Sequence, residues 1–181
     1  MTRGNGPLIV GVDGSPGALA ALRWSIRQAR LFRTDVVAVH AWQPSEALRA
    51  PYAPVADSPT AADDREQADR LLGTTVSRVV AAEPGARLRA FLTEGPAVPV
   101  LIDRVDEALL LVLGHRLRDD PALPARGAVA RECVRRAPCP VVTVPEPAPG
   151  PPPRQDEFDV LGRTPSLGGP RPRVPALHVP G

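Results

Sequence analysis

The residues that could do chemistry in this chain are three histidines, two cysteines and a few strand-end or helix-end carboxylates, and they do not assemble into a catalytic set. His40 stands near the end of an apolar run, where a packed, hydrogen-bonded ring is expected rather than a catalytic one. There is no Gly-x-Ser-x-Gly elbow, and no histidine is placed to serve a Ser or Cys triad. Cys133 and Cys139 lack the clustered His pair of a zinc site, so no metal is expected; both should be small buried fillers, with partial exposure of Cys139 between its flanking prolines the lesser alternative. Asp103, Asp106 and Glu107 cluster at a helix end, where a solvated face is the default. All 22 basic residues are arginine, which excludes both a Schiff-base lysine and a Walker-type phosphate loop. A binding or regulatory domain, not an enzyme, is the expectation.

The elements that must position these residues follow from periodicity. Leu8-Ile9-Val10-Gly11-Val12 is a short unbroken apolar run ending at Asp13-Gly14, the pattern of a strand buried on both faces. Ser15-Pro16 then opens a helix: serine accepts from orphan amides, and proline suits the first helical position. Leu19, Leu22, Ile26 and Ala29 carry that helix over residues 16–31. Residues 35–41 form a second strand. Residues 42–60 hold four prolines and predict a long loop. Ala68, Leu71, Leu72, Thr75, Val76, Val79 and Val80 mark a second helix, stopped by Glu83-Pro84-Gly85. A weakly alternating third strand spans 87–92, and Gly95-Pro96 opens a short helix to about Arg104, with Pro99 in its first turn. Residues 108–113 are a buried strand, 114–125 a polar loop, 127–136 a fourth helix and 140–144 a fifth strand.

Strict alternation of strand and helix implies an α/β domain: parallel strands, right-handed crossovers and helices on both faces. Ligands of such sheets bind beyond the carboxyl ends of the strands. Here those ends are Asp13, Ala41 and Gly114. Asp13 has a second explanation, since a carboxylate beside the start of the first helix is favourable in itself.

Four motifs in register now amount to a family resemblance. Ile9-Val10-Gly11-Val12-Asp13-Gly14-Ser15, Val39-His40-Ala41-Trp42, Glu94-Gly95-Pro96-Ala97 and the run from Val134 through Arg135-Arg136-Ala137-Pro138-Cys139-Pro140-Val141 to Val142 together resemble an actinobacterial universal stress protein. The resemblance covers roughly residues 6–145. It implies an open five-stranded parallel sheet of order 3-2-1-4-5, a Rossmann-like fold of the adenine nucleotide alpha hydrolase-like kind. It also implies a homodimer paired through the last strand, which opens at Pro140 and closes at Val144.

Many members of that family bind ATP through Gly-x2-Gly-x9-Gly-Ser/Thr, running from the fourth strand to the start of the fourth helix. Small residues let backbone amides face phosphates, and the helix start adds partial positive charge. Carried onto this chain, Gly114 and Gly127 match, Leu117 stands where the second glycine belongs, and Ala128 replaces the hydroxyl. Asp119 and Asp120 add charge of the wrong sign for a triphosphate, which Arg116, Arg118 and Arg126 offset in part. His115 would contact phosphate when protonated, or is simply an exposed loop residue. The implied nucleotide site comprises Val12, Asp13, Ala41, Gly114, His115, Arg116, Gly127 and Ala128. The loop is thus either a weakened ATP site or an inherited structural loop in a dimeric interaction module; a hydrolase or transferase finds no general base.

Residues 1–146 form the expected domain. From Pro145 onward the chain carries eleven of the 24 prolines and almost no periodic apolar residues, so residues 147–181 are expected to be a disordered tail. A net charge of +2 gives no footprint for nucleic acid or a membrane surface. The apolar run after Gly6 is too short for a signal peptide, which points to the cytoplasm and to reduced thiols.

Overall fold

A computed structural model of the chain describes residues 6–48, 59–115 and 127–146, all within one compact unit. Arg116, Leu117, Arg118, Asp119, Asp120 and Arg126 lie outside the described residues, as do most of the proline-rich loop and the whole tail from residue 147.

Five strands, β1 (Leu8–Gly11), β2 (Val36–Trp42), β3 (Leu88–Glu94), β4 (Leu110–His115) and β5 (Val141–Pro145), alternate with four helices, α1 (Pro16–Phe32), α2 (Ala61–Ala82), α3 (Ala97–Ile102) and α4 (Ala128–Arg136). Every strand pair is parallel, and the order is β3-β2-β1-β4-β5. The expected topology is therefore the one observed. β1 lies at the centre, with Val10 opposite Ala38 of β2 on one side and Val112 of β4 on the other.

Alternation along the strands divides the core in two. Leu8, Val10, Val36, Ala38 and Val112 face Ala21, Leu22, Ile26 and Ala29 of α1 and Leu72 and Val79 of α2. Ile9, Val37, Val39, Leu111 and Leu113 face Val100 and Leu101 of α3 and Cys133 of α4. With so few aromatics, the core is filled by aliphatic side chains on both faces of one sheet, as the apolar runs require. The Ser25 hydroxyl, fully buried in it, donates to the Ala21 carbonyl at 2.8 Å.

The helix starts obey local chemistry. The Ser15 hydroxyl accepts from the Ala18 amide at 3.1 Å, with Pro16 in the first turn. α2 begins at Ala61, a full turn and more before its first core residue, Ala68. The reason is a capping box: the Asp63 amide donates to the Thr60 hydroxyl at 3.2 Å, and the Thr60 amide donates to the Asp63 carboxylate at 2.9 Å. Those hydrogen bonds from Thr60, first the backbone one and then the hydroxyl, hold the Asp63 pKa below its ordinary value. The expected long loop also contains a short 3-10 turn, Ser45–Leu48, whose first amide and hydroxyl both donate to Asp64, at 2.6 and 2.8 Å. β3 and β4 each run two residues beyond the expected ends, to Glu94 and His115, because their neighbours β2 and β5 continue the ladder to Trp42 and Pro145.

One contact governs how α1 lies on the sheet. A Cβ built on Gly114 would stand 2.3 Å from the Gly17 carbonyl carbon and 2.4 Å from the Ala18 amide nitrogen. A Cβ on Gly17 would stand 3.4 Å from the backbone of His115. The first turn of α1 and the end of β4 thus meet backbone to backbone, and only Gly114 has no room for a side chain. Gly114→Ala should lower unfolding stability by about 2 kcal/mol or more, because two backbone segments must separate. Gly17→Ala should change it by less than about 1 kcal/mol. Urea unfolding of both variants checks this; equal effects would contradict it.

Candidate functional site

Three parallel strands deliver their ends to one rim of the sheet. The chain turns from β1 to β2 and β3 on one side, then returns to β4 on the other. The carboxyl ends of β1 and β4 are therefore the switch point at which α/β sheets open a crevice. Val12 and Asp13 follow β1, Ala41 is the penultimate residue of β2, and Gly114 and His115 close β4. Gly127 and Ala128 stand at the start of α4, the helix that leads from this rim back to β5. Of the eight residues expected at the site, seven are described, and Arg116 falls outside the described residues.

Hydrogen bonds fix the β1 side. The Val12 amide donates to the Val39 carbonyl at 2.9 Å, extending the ladder past the strand. His40 Nδ1 lies 2.6 Å from the Val12 carbonyl. A carbonyl can only accept, so Nδ1 carries the proton and donates. The expected packed, hydrogen-bonded histidine is thus found, and it holds the peptide immediately before Asp13. Asp13 itself is exposed and accepts from the Ser15 amide at 3.0 Å through Oδ1. Its favourable position beside the start of α1 is realised in that bond.

On the β4 side, His115 is exposed and its carbonyl accepts from the Glu146 amide at 2.8 Å. Gly114 is required there by the packing of α1, independently of any ligand. Gly127 caps α4 with φ of 119°, a left-handed backbone that favours glycine. No side chain caps α4, and its first turn holds no acidic residue. Among the described residues its first amides thus meet no capping side chain, an arrangement that suits an anion. Gly17, which α1 presents to Gly114 and His115, was not among the expected site residues; its only signal in the sequence is a glycine immediately after the Ser-Pro helix start.

A model of the universal stress protein family matches residues 5–145. The chain belongs to the universal stress protein family. It is 33% identical over 150 residues to universal stress protein Rv2623 of Mycobacterium tuberculosis, covering 80% of this chain and 50% of that one. The chain thus spans about half the length of the curated relatives it matches. The structure of the universal stress protein from Archaeoglobus fulgidus superposes with a TM-score of 0.60 at 26% identity, covering 77% of this chain and 98% of that one. A second structure of the Archaeoglobus fulgidus universal stress protein, in complex with dAMP, superposes with a TM-score of 0.56 at 25% identity, over 78% and 98% of the two chains. The fold shared with these neighbours is the adenine nucleotide alpha hydrolase-like fold.

The remaining reactive groups lie away from this rim. Cys133 is fully buried and Cys139 is 9% exposed, so both are the buried fillers expected; residues of α3, α4 and β4 pack around Cys139. Burial raises the pKa of both thiols, and nearby Arg136 only partly counters this at Cys133. Asp103, Asp106 and Glu107 are exposed, as a solvated face should be. Among the described residues no group of three or more His, Cys, Asp or Glu is arranged to hold a metal ion, and no helix is long and apolar enough to cross a membrane. Both thiols should react with a thiol reagent at pH 7 at least about tenfold more slowly in the native chain than in urea, since burial blocks access and suppresses the thiolate. Equal rates would contradict the burial of both cysteines.

Proposed function

We propose that this universal stress protein domain binds an adenine nucleotide at the rim between β1 and β4, as a regulatory module of the stress response and not as an enzyme. The observation that carries the reading is the uncapped start of α4, entered through a left-handed glycine, at the same rim as the ends of β1 and β4. In this reading the Val12–Asp13 and Ala41 backbone lies against the adenosine part. His115, Arg116, Gly127 and Ala128 lie toward the phosphates, where α4 offers amides. The dAMP complex of the Archaeoglobus fulgidus relative supports an adenine nucleotide. The spacing from Gly114 to Gly127 favours ATP, held weakly because Leu117 and Ala128 depart from the signature and Asp119 and Asp120 oppose the charge. The engagement of His40 Nδ1 by the Val12 carbonyl, a structural use of that ring, supports a non-enzymatic role. We place the domain in the cytoplasm, where its two free thiols would stay reduced.

Titration calorimetry with Mg-ATP and with AMP tests this. Binding should be measurable in the natural chain and tightened by Leu117→Gly with Ala128→Ser. At a hundredfold excess over the dissociation constant the nucleotide should add about 2.7 kcal/mol to unfolding stability. No heat in either chain would overturn the nucleotide reading.

A second reading, a dimeric interaction module that needs no nucleotide, is favoured by a contrast between the two sheet edges. β3 is bordered by Arg87 and Arg89, which pair with Asp35 at 3.1 and 3.5 Å, and ends at Glu94. Such charges discourage pairing. β5 reads Val-Val-Thr-Val-Pro and carries no charge. Val129 and Val134 are exposed on α4, which packs beside it. We propose that β5 pairs with β5 of a second copy. Sedimentation equilibrium should show a dimer that Thr143→Pro converts to monomer, since the Thr143 amide faces the free edge of the sheet and proline removes that donor; a monomeric natural chain at high concentration would contradict it.

A further inference from the structure

The ladder between β1 and β2 stops one rung short, and the reason is a side chain. The two strands pair in register, from Leu8 with Val36 to Gly11 with Val39. In a parallel ladder each bonded residue donates to one side of its partner and accepts from the other. Leu8 opens this pattern on the Asp35 carbonyl, and Val12 continues it on the Val39 carbonyl, both at 2.9 Å. The next rung would run from the Ala41 amide to the Val12 carbonyl. Among the described residues that bond is not made, and β1 closes at Gly11 while β2 goes on to Trp42. The Val12 carbonyl accepts from His40 Nδ1 instead, at 2.6 Å.

The register leaves the Ala41 amide no other strand to join. Residues of β2 serve their two neighbours alternately. Val36 donates to the Arg87 carbonyl at 2.9 Å, just before β3, and the Trp42 carbonyl accepts from Gly95 at 2.8 Å, just after it. Val36, Ala38, His40 and Trp42 therefore turn their peptide groups to β3. Ala41, between His40 and Trp42, turns its amide and carbonyl to the β1 side, where β1 has already ended. Ala41 is only half-buried. One donor and one acceptor of the same residue thus stand side by side at the rim.

We propose that His40 is the positioning residue of the nucleotide rim: by occupying the Val12 carbonyl it keeps the Ala41 peptide out of the ladder, so that its amide and carbonyl remain for the base of the nucleotide. This inference rests on the nucleotide reading given above. A planar base edge with an acceptor beside a donor completes the rung that β1 leaves unmade. His40 acts through Val12 and Ala41 and need not touch the ligand. Without its donor, the Val12 carbonyl is returned to the Ala41 amide. The site then loses its hold on the base and keeps its phosphate end at α4.

The test compares the full natural chain with His40→Phe, which keeps a flat ring but no donor, and with His40→Asn, whose side-chain nitrogen is bonded to Cγ as Nδ1 is. Amide hydrogen exchange without ligand, followed by NMR, reads the ladder. The Ala41 amide should exchange about tenfold more slowly in His40→Phe, because it gains a backbone hydrogen bond, and at the natural rate in His40→Asn. Loss of a merely structural contact would speed it instead. Titration calorimetry with AMP and with ribose 5-phosphate reads the site. His40→Phe should weaken AMP by about tenfold and leave ribose 5-phosphate unchanged, while His40→Asn should hold AMP within about threefold of the natural chain. Unchanged or faster exchange at Ala41 in His40→Phe, or AMP affinity equal to that of the natural chain, would overturn the proposal and leave the nucleotide reading standing. So would loss of AMP binding by His40→Asn, which keeps the donor and tests the proposal even if His40→Phe does not fold. No AMP binding by the natural chain would overturn the nucleotide reading and the positioning role with it.

Discussion

The close approach of α1 to β4 is the constraint on which the domain depends. The chain leaves β1, turns at Asp13 and Gly14, and must lay α1 across the sheet before β2 can return parallel to β1. β4 then has to slide in on the opposite side of β1, beneath the first turn of that same helix. Gly114 makes this fit by carrying no side chain where the Gly17 carbonyl carbon would be 2.3 Å away. Interiors pack at crystal-like density, so an added methyl group there has nowhere to go. The same contact sets His115 beside the start of α1 and so brings the ends of β1 and β4 to one rim. A glycine that looks like part of a phosphate loop is first of all a packing residue.

That dual use explains why the loop sequence alone leaves its function open. Gly114 and Gly127 would both be retained by a chain that binds nothing. Gly114 is needed by α1, and Gly127 carries the left-handed turn into α4. The positions that a ligand alone would demand are Leu117 and Ala128, and those are the ones that depart from the family's signature. In the proposed site, affinity would then rest on backbone groups: the amides at the start of α4 and the Val12–Asp13 peptide that His40 holds. Backbone groups tolerate side-chain change, which is the physical basis for expecting a weakened site rather than a lost one.

Much of the fold was legible because its signals are local. Unbroken apolar runs marked β1 and β4 as buried strands, Ser15-Pro16 marked the start of α1, and alternation of elements fixed the parallel class. The strand order came from the family resemblance, since nothing in the periodicity of β4 says which side of β1 it takes. The early start of α2 was less visible: apolar spacing begins only at Ala68, and the Thr60–Asp63 capping box is polar. The grip of Ser45 on Asp64 joins residues nineteen apart through side chains, and no pattern in a single sequence announces it.

The most direct measurement for the central claim is amide hydrogen exchange of the full chain with and without AMP. Protection should rise at Val12 to Ser15, at Ala41, at Gly114 and His115 and in the first turn of α4, and remain unchanged along β3. Protection confined to β3 and α2, or none at the ends of β1 and β4, would contradict a nucleotide site at the β1–β4 rim.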